Sequence, residues 1–336
     1  MWSLDVLAYG VVHIGLVMYA IFGGADFGGG IWTALAWGPR AREQRSDLFH
    51  AIGPVWETNH VWLIFVVVTL FTAFPKGFAA LFTTLLVPLV LALVGINFRG
   101  AAFAFRNFGK EKAGGQIPFM VSTFAVASML TPCFLGISLT ATATGKILWV
   151  NDRVLAEPWF WVEPFTLMGG AIAVASCAYL TPIFMTVRST GKLREDFRGQ
   201  GMVAGLLLGI LTALEVPVAM AAAPLFAARL LSRQGIPFVA VSGILGVTTL
   251  VLLWKRRFLW AQLAAAGAVA MTITGFAAAM FPDLLIGQLT LAAAAAPRAT
   301  LRAFLLVVVS GILVLAPSLL FLYRTFRGEP NPQIPP

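Results

Sequence analysis

The sequence predicts an all-α polytopic membrane protein, and three observations carry that reading. Of 336 residues, 59% are hydrophobic and 11% charged, whereas soluble domains are about a quarter charged. Mean hydropathy is +0.88. The apolar residues fall into nine runs, most of them about 20 residues or longer, which is what a helix needs to cross a bilayer. So few charges could not cover a soluble surface. A soluble enzyme, a disordered chain and an ordinary nucleic-acid-binding domain are therefore excluded.

The expected spans are 6–35, 50–74, 78–105, 119–143, 164–187, 202–228, 236–254, 258–281 and 304–323, within a single membrane domain, 1–336. Proline, glycine or charge clusters separate them, as at Pro75-Lys76-Gly77 and Lys255-Arg256-Arg257. The first span holds five glycines between Gly23 and Gly30. That density predicts close helix contact or local unwinding. Met1 to Asp5 has no basic segment ahead of a short apolar core, so the first span is expected to be retained rather than cleaved. Segment 144–163, with Trp149, Trp159 and Trp161, reads as an interfacial belt. Segment 282–303 has room for a short amphipathic turn. The tail, 330–336, is Pro-rich and expected to be disordered. Thr131-Pro132 and Thr181-Pro182 punctuate their spans without establishing a repeat.

Net charge is +9. In a membrane protein this excess marks cytosolic loops before it marks a polyanion partner. The odd connections and the tail hold 15 Lys and Arg, the even connections 7, and Arg99 lies within a span. The bias puts the N-terminus outside and the C-terminus in the cytosol. Cys133 and Cys177 sit in apolar runs and read as packing residues. No phosphate loop, dinucleotide fingerprint, HExxH or cysteine metal motif is present, so no metal site is expected.

Ionisable residues inside spans need a reason, because each costs about 2.5 kcal/mol or more on insertion scales. They are His13, Asp26, Glu57, His60, Arg99 and Glu215. Counted from the expected boundaries, Asp26, Glu57 and Arg99 all fall in the cytosolic third of the bilayer. They come from three consecutive spans. This predicts an ionisable cluster reached from the cytosol, with Asp26 or Glu57 handling a proton and Arg99 balancing charge. A structural Glu57–Arg99 ion pair is the alternative. Glu57 and His60 are three residues apart and should share a helix face. His13 reads as a core hydrogen-bonder or a haem ligand; His60 as an axial ligand, proton carrier or core residue. Three histidines cannot serve several haems by paired ligation. Glu215 precedes Val216-Pro217, where the proline frees a carbonyl for a local polar site.

Three motifs then point to a family. Gly24-Ala25-Asp26-Phe27-Gly28-Gly29-Gly30 resembles the Gly-Phe-Asp-Leu-Gly-x-Gly of the first helix in subunit II of cytochrome bd quinol oxidases. Ile52-Gly53-Pro54-Val55-Trp56-Glu57-Thr58-Asn59-His60-Val61-Trp62-Leu63 resembles its Gly-Pro-x-Trp-Asp-Gly-Asn-x-Val-Trp-Leu, with Ala73-Phe74-Pro75 following. Phe98-Arg99-Gly100-Ala101-Ala102-Phe103-Ala104-Phe105-Arg106 resembles its Phe-Arg-Gly-Val-Ala-Phe-Glu-Phe-Arg. The resemblance covers residues 22–106. It implies two four-helix bundles plus a peripheral helix, in a bacterial inner membrane. It implies subunit II of an enzyme that oxidises quinol and reduces dioxygen to water, a non-haem-ligating partner of subunit I. Subunit I would carry haems b558, b595 and d. It further implies a cytosolic proton path, membrane lipid contacts, a small single-span subunit in some complexes, and a bound quinone or lipid in some members. On this reading Asp26, Glu57 and His60 serve the path, Arg99 balances charge, and Trp56, Asn59 and Trp62 line the path or interface. His13 and Glu215 are secondary candidates. The family's Asp before Gly-Phe-Asp is Gly23 here, its acid after Trp is Glu57, its Glu in span 3 is Ala104, and its Glu or Gln after Asn is His60. The residues alone also allow two rival classes, a proton-coupled secondary transporter and a haem-bearing membrane redox subunit.

Overall fold

The computed structural model describes residues 3–53, 56–113 and 118–326; the expected disordered tail lies outside them. The protein is all-α and multi-spanning. Among the described residues, seven helices are long and apolar enough to cross a membrane, and a bent pair makes an eighth if counted as one span.

The first span is α1 (Leu4–Met18), a π-helical turn over Tyr19–Gly23, and α2 (Gly24–Leu35). The widened π-helical turn precedes the glycine-rich stretch, which itself stays α-helical in α2 rather than unwinding. Gly28 and Gly30 show why the stretch is glycine. A Cβ at Gly28 would collide with the Cys177 carbonyl and Thr181, and one at Gly30 with Ser128. Close approach lets Thr181 Oγ1 donate to the Ala25 carbonyl at 2.6 Å and Trp32 Nε1 to the Ala178 carbonyl at 2.7 Å.

The second span differs from expectation. Residues expected as loop form α3 (Ala41–Ile52), and α4 (Trp56–Ala73) follows at an angle of 55°. The charges of α3 mark a polar helix docked on its neighbours. Arg40 Nε donates to Asp196 Oδ2 at 2.7 Å and Gln44 Nε2 to the same oxygen at 3.1 Å. The Asp196 hydrogen bond raises the Arg40 guanidinium above its ordinary pKa. Ser189 donates to Asp47. Arg45 donates to the Thr33 and Ala36 carbonyls at 3.0 and 3.1 Å, satisfying the end of α2.

Two further expected spans are interrupted. Residues 75–113 form α5 (Pro75–Thr84) and α6 (Leu86–Ala113), breaking at Leu85. Pro75 opens α5 and Pro88 sits in the first turn of α6, where its missing N–H is tolerated. Residues 191–230 form α9 (Gly191–Ala222) and α10 (Pro224–Leu230), with Pro224 again starting the second helix. The expected loop 188–201 is mostly the beginning of α9. The remaining long helices are α7 (Pro118–Ala141), α8 (Pro164–Arg188), α11 (Ile236–Trp254), α12 (Phe258–Met280) and α14 (Arg298–Phe326), of which the first four are among the seven above. Pro132 and Pro182 stay inside continuous helices α7 and α8.

The connections carry two small hairpins. β1 (Leu148–Val150) pairs antiparallel with β2 (Arg153–Leu155) through Asn151 and Asp152, both left-handed at φ 51° and 56°. That is the backbone of a tight two-residue hairpin turn. β3 (Asp283–Leu285) pairs with β4 (Leu289–Thr290), and α13 (Leu291–Ala294) follows. In space α2 lies against α7 and α8, α6 against α7, and α1 against α4. The helices α8, α9, α11 and α12 contact one another as a second group, while α14 touches α1 and α4.

Candidate functional site

The π turn and α2 present Tyr19, Asp26 and Phe27 to the interior, all buried. α4 contributes Asn59 and His60, α6 contributes Arg99, and α7 contributes Phe124 and Ser128.

Arg99 anchors the cluster. It is 1% exposed. Its Nη2 donates to the main-chain carbonyl of Asp26 at 2.9 Å and its Nε to Ser128 Oγ at 3.2 Å. Ser128 in turn donates to the Phe124 carbonyl at 2.7 Å. The guanidinium stands over the Phe27 and Phe124 rings, 4.8 and 5.1 Å from their centroids. Cation–π contact of this kind is strongest when desolvated.

Asp26 is buried, 5% exposed. Its Oδ2 accepts from Asn59 Nδ2 at 2.7 Å. Asn59 Nδ2 also lies 3.5 Å from the Phe22 carbonyl in the π turn. Among the described residues no Lys, Arg or His nitrogen lies within 4 Å of its carboxylate. Arg99 supplies positive charge nearby yet spends its donors on main chain and hydroxyl. A carboxylate held this way is reachable by a proton without breaking an ion pair.

Glu57 is placed apart from this group. It lies in the first turn of α4, not two turns into a span, and it is exposed. The alternative Glu57–Arg99 ion pair does not form, and Glu57 and His60 do not share surroundings. His60 is half-buried, its ring 5.8 Å from Phe27 and 6.2 Å from Tyr19. Trp62 is half-buried with its ring edge-on to Phe65 at 6.1 Å. The side chain of Trp56 lies outside the described residues. His13 sits between α1 and α12, its Nε2 3.0 Å from Thr274 Oγ1. Thr274 donates to the Ala270 carbonyl, so its oxygen accepts from His13 Nε2–H. Glu215 is half-buried on α9, which packs against α8, α10 and α11, away from Asp26.

His13 faces Thr274, exposed His50 bonds the Ser46 carbonyl, and His60 faces Tyr19 and Phe27. No two of them converge, so these residues do not fit paired haem ligation. Among the described residues no three His, Cys, Asp or Glu cluster as metal ligands.

Sequence reasoning did not single out Tyr19, Phe124 or Ser128. Ser128, a small hydroxyl four residues after Phe124 in an apolar run, was the readable signal. Tyr19 had none beyond its spacing of four from Gly23.

A family model described as cytochrome bd terminal oxidase subunit II matches residues 4–326. The cytochrome bd ubiquinol oxidase subunit 2 of Bacillus subtilis (strain 168) is 25% identical over 292 residues, 86% of this chain and 84% of that protein. The cytochrome bd-I ubiquinol oxidase subunit 2 of Escherichia coli (strain K12) is 26% identical over 201 residues, 59% of this chain and 52% of that protein. In structure, a chain of the bd oxidase from Geobacillus thermodenitrificans superposes with a TM-score of 0.81 at 23% identity, covering 98% of this chain and all of that one. At that identity the likeness speaks for the fold.

Proposed function

The chain belongs to the cytochrome bd terminal oxidase subunit II family, and from that premise we propose that it ligates no haem, partners the haem-bearing subunit I, and lends it a cytosolic proton path. Family membership makes it part of a quinol oxidase and sets the transporter reading aside. The haem-bearing reading lacks a paired ligand set. Its place is the bacterial inner membrane, with the N-terminus outside and the C-terminus cytosolic, as the distribution of basic residues supports.

The observation that carries the proton path is the buried Asp26 carboxylate, bonded by Asn59 and left without an ion pair. From the end of α2, Asp26 is nine residues inward, a rise of about 14 Å. Exposed Glu57, in the first turn of α4, gathers protons near the cytosolic edge. Asp26 receives them, Arg99 keeps the local charge balanced, and His60 lies one residue beyond Asn59.

The test is Asp26→Asn in the two-subunit complex purified from membranes. Haem content should match the wild type while quinol-driven dioxygen consumption falls by about tenfold or more. Unchanged consumption would remove Asp26 from any path. A wild-type preparation without a haem-bearing partner would overturn the assignment itself.

A further inference from the structure

Tyr19 brings to the cluster a hydroxyl that Asp26, Asn59 and Arg99 leave unused. The residue is 9% exposed, and its Oη is enclosed with no protein hydrogen-bond partner among the described residues. An orphaned buried hydroxyl costs about 1–3 kcal/mol. Proteins relieve that cost with ordered water wherever the surroundings offer further polar groups.

Here they do. The Arg99 guanidinium of α6 stands 4.8 Å from the centre of the Phe27 ring, which packs on Tyr19, and the His60 imidazole of α4 stands with its ring centre 6.2 Å from that of Tyr19. The ring is held in one place. Phe27 meets it edge-on at 6.4 Å. It also covers Gly23, where a Cβ would come within 2.8 Å of ring atom Cε2. Position 23 is therefore glycine because the Tyr19 ring fills the space a side chain would need. The π-helical turn beginning at Tyr19 sets the direction of the ring relative to α2, and such bulges recur at functional sites. Tyr19 lies seven residues from Asp26, about 10 Å along the helix, toward the membrane interior on the proposed topology.

We propose that the Tyr19 hydroxyl is a relay that continues the proton path inward from Asp26, through ordered water shared with His60; this rests on the proton-path reading above. The transfer balances at the hydroxyl. Its oxygen takes a hydrogen from the water on the Asp26 side as its own hydrogen passes to the water on the far side. Tyr19 ends neutral and one proton has moved. A phenol suits this position because it carries no charge at rest, so it adds nothing to the cost of the already buried Asp26 and Arg99.

The experiment uses the complete oxidase complex. Tyr19→Phe keeps the ring over Gly23 and against Phe27 and removes only Oη. With haem content unchanged, quinol-driven dioxygen consumption should fall severalfold, and the rate ratio between H2O and D2O should rise above the wild-type ratio. A packing role leaves that ratio unmoved. If Asp26→Asn is slow while Tyr19→Phe keeps the wild-type rate and isotope ratio, the relay is overturned and the path through Asp26 stands. If both variants behave as wild type, both fall. An experimental map of the wild-type complex gives a readout independent of how the variant folds. Ordered water within hydrogen-bond distance of Oη supports the relay; an Oη touching only carbon overturns it.

Discussion

Asp26 and Asp283 are each 5% exposed, and the protein holds them in opposite ways. Asp283, at the start of β3, is clamped. Its Oδ2 accepts from Arg229 Nη2 at 2.9 Å and from the Gly287 N–H at 2.8 Å, while Arg229 Nη1 donates to the Met280 carbonyl at 3.1 Å. Charge meets charge, and the pair ties α10 to the β3–β4 hairpin. Asp26 has an arginine of its own, yet that arginine bonds the Asp26 main chain rather than its carboxylate. Equal burial therefore does not mean equal role. A carboxylate locked to a guanidinium is a structural part. One held by a single amide, with the cation close but otherwise engaged, keeps the freedom to take and release a proton.

The largest effect that could break this contrast is at Arg229. Arg229→Ala leaves Asp283 buried and unpaired, which should cost about 3 kcal/mol of stability. The midpoint of thermal inactivation of the complex should fall by several degrees, while turnover per haem in the surviving complex stays at the wild-type level. A drop in turnover at unchanged stability would erase the distinction between the two aspartates.

Asn59 sharpens the other side. Asn59→Leu removes the amide that bonds Asp26 and keeps similar bulk. Stability should change by about 1 kcal/mol, yet turnover per haem should fall severalfold, since the carboxylate loses the group that orients it. Loss of haem with no separate loss of rate would make Asn59 a packing residue and return Asp26 to the class of Asp283.

The same contrast explains what could be read from the chain beforehand. Asp26 and Arg99 were legible because a charge in an apolar run is costly and must be used. The motif around Asn59 was legible from its order and spacing. Tyr19 was not, since a tyrosine in an apolar run is ordinary until its hydroxyl is seen enclosed. For the fold, α11 lands on its expected boundaries because its run is uninterrupted and charge-bounded. The breaks at Leu85 and Ala223 were invisible because apolar residues continue across them, and hydropathy averages over a bend. The charged segment of α3 reads as loop in the sequence. Arg45, Asp47 and the N-cap Arg40 are in fact spent across helices, on the end of α2, Ser189 and Asp196, while Arg42 and Glu43 stay exposed.

The smallest effect is expected at Glu57, the acid the sequence placed beside Arg99 and the structure leaves at the surface. A carboxylate in the first turn of a helix gains about 0.3–1 kcal/mol from the helix dipole. Glu57→Gln should therefore barely change the stability of the complex. On the proposed path it is also replaceable, because water would reach the next station without it, whereas Asp26 would have no such substitute. Turnover per haem should fall by no more than about two- to threefold near neutral pH. The deficit should widen as pH rises, because a collecting group matters most where free protons are scarce. A deficit that is flat with pH would reduce Glu57 to a helix-capping charge. A loss as deep as that of Asp26→Asn would mean that the outer face of α4 is sealed by subunit I, and that the surface acid and the buried one belong to a single enclosed path.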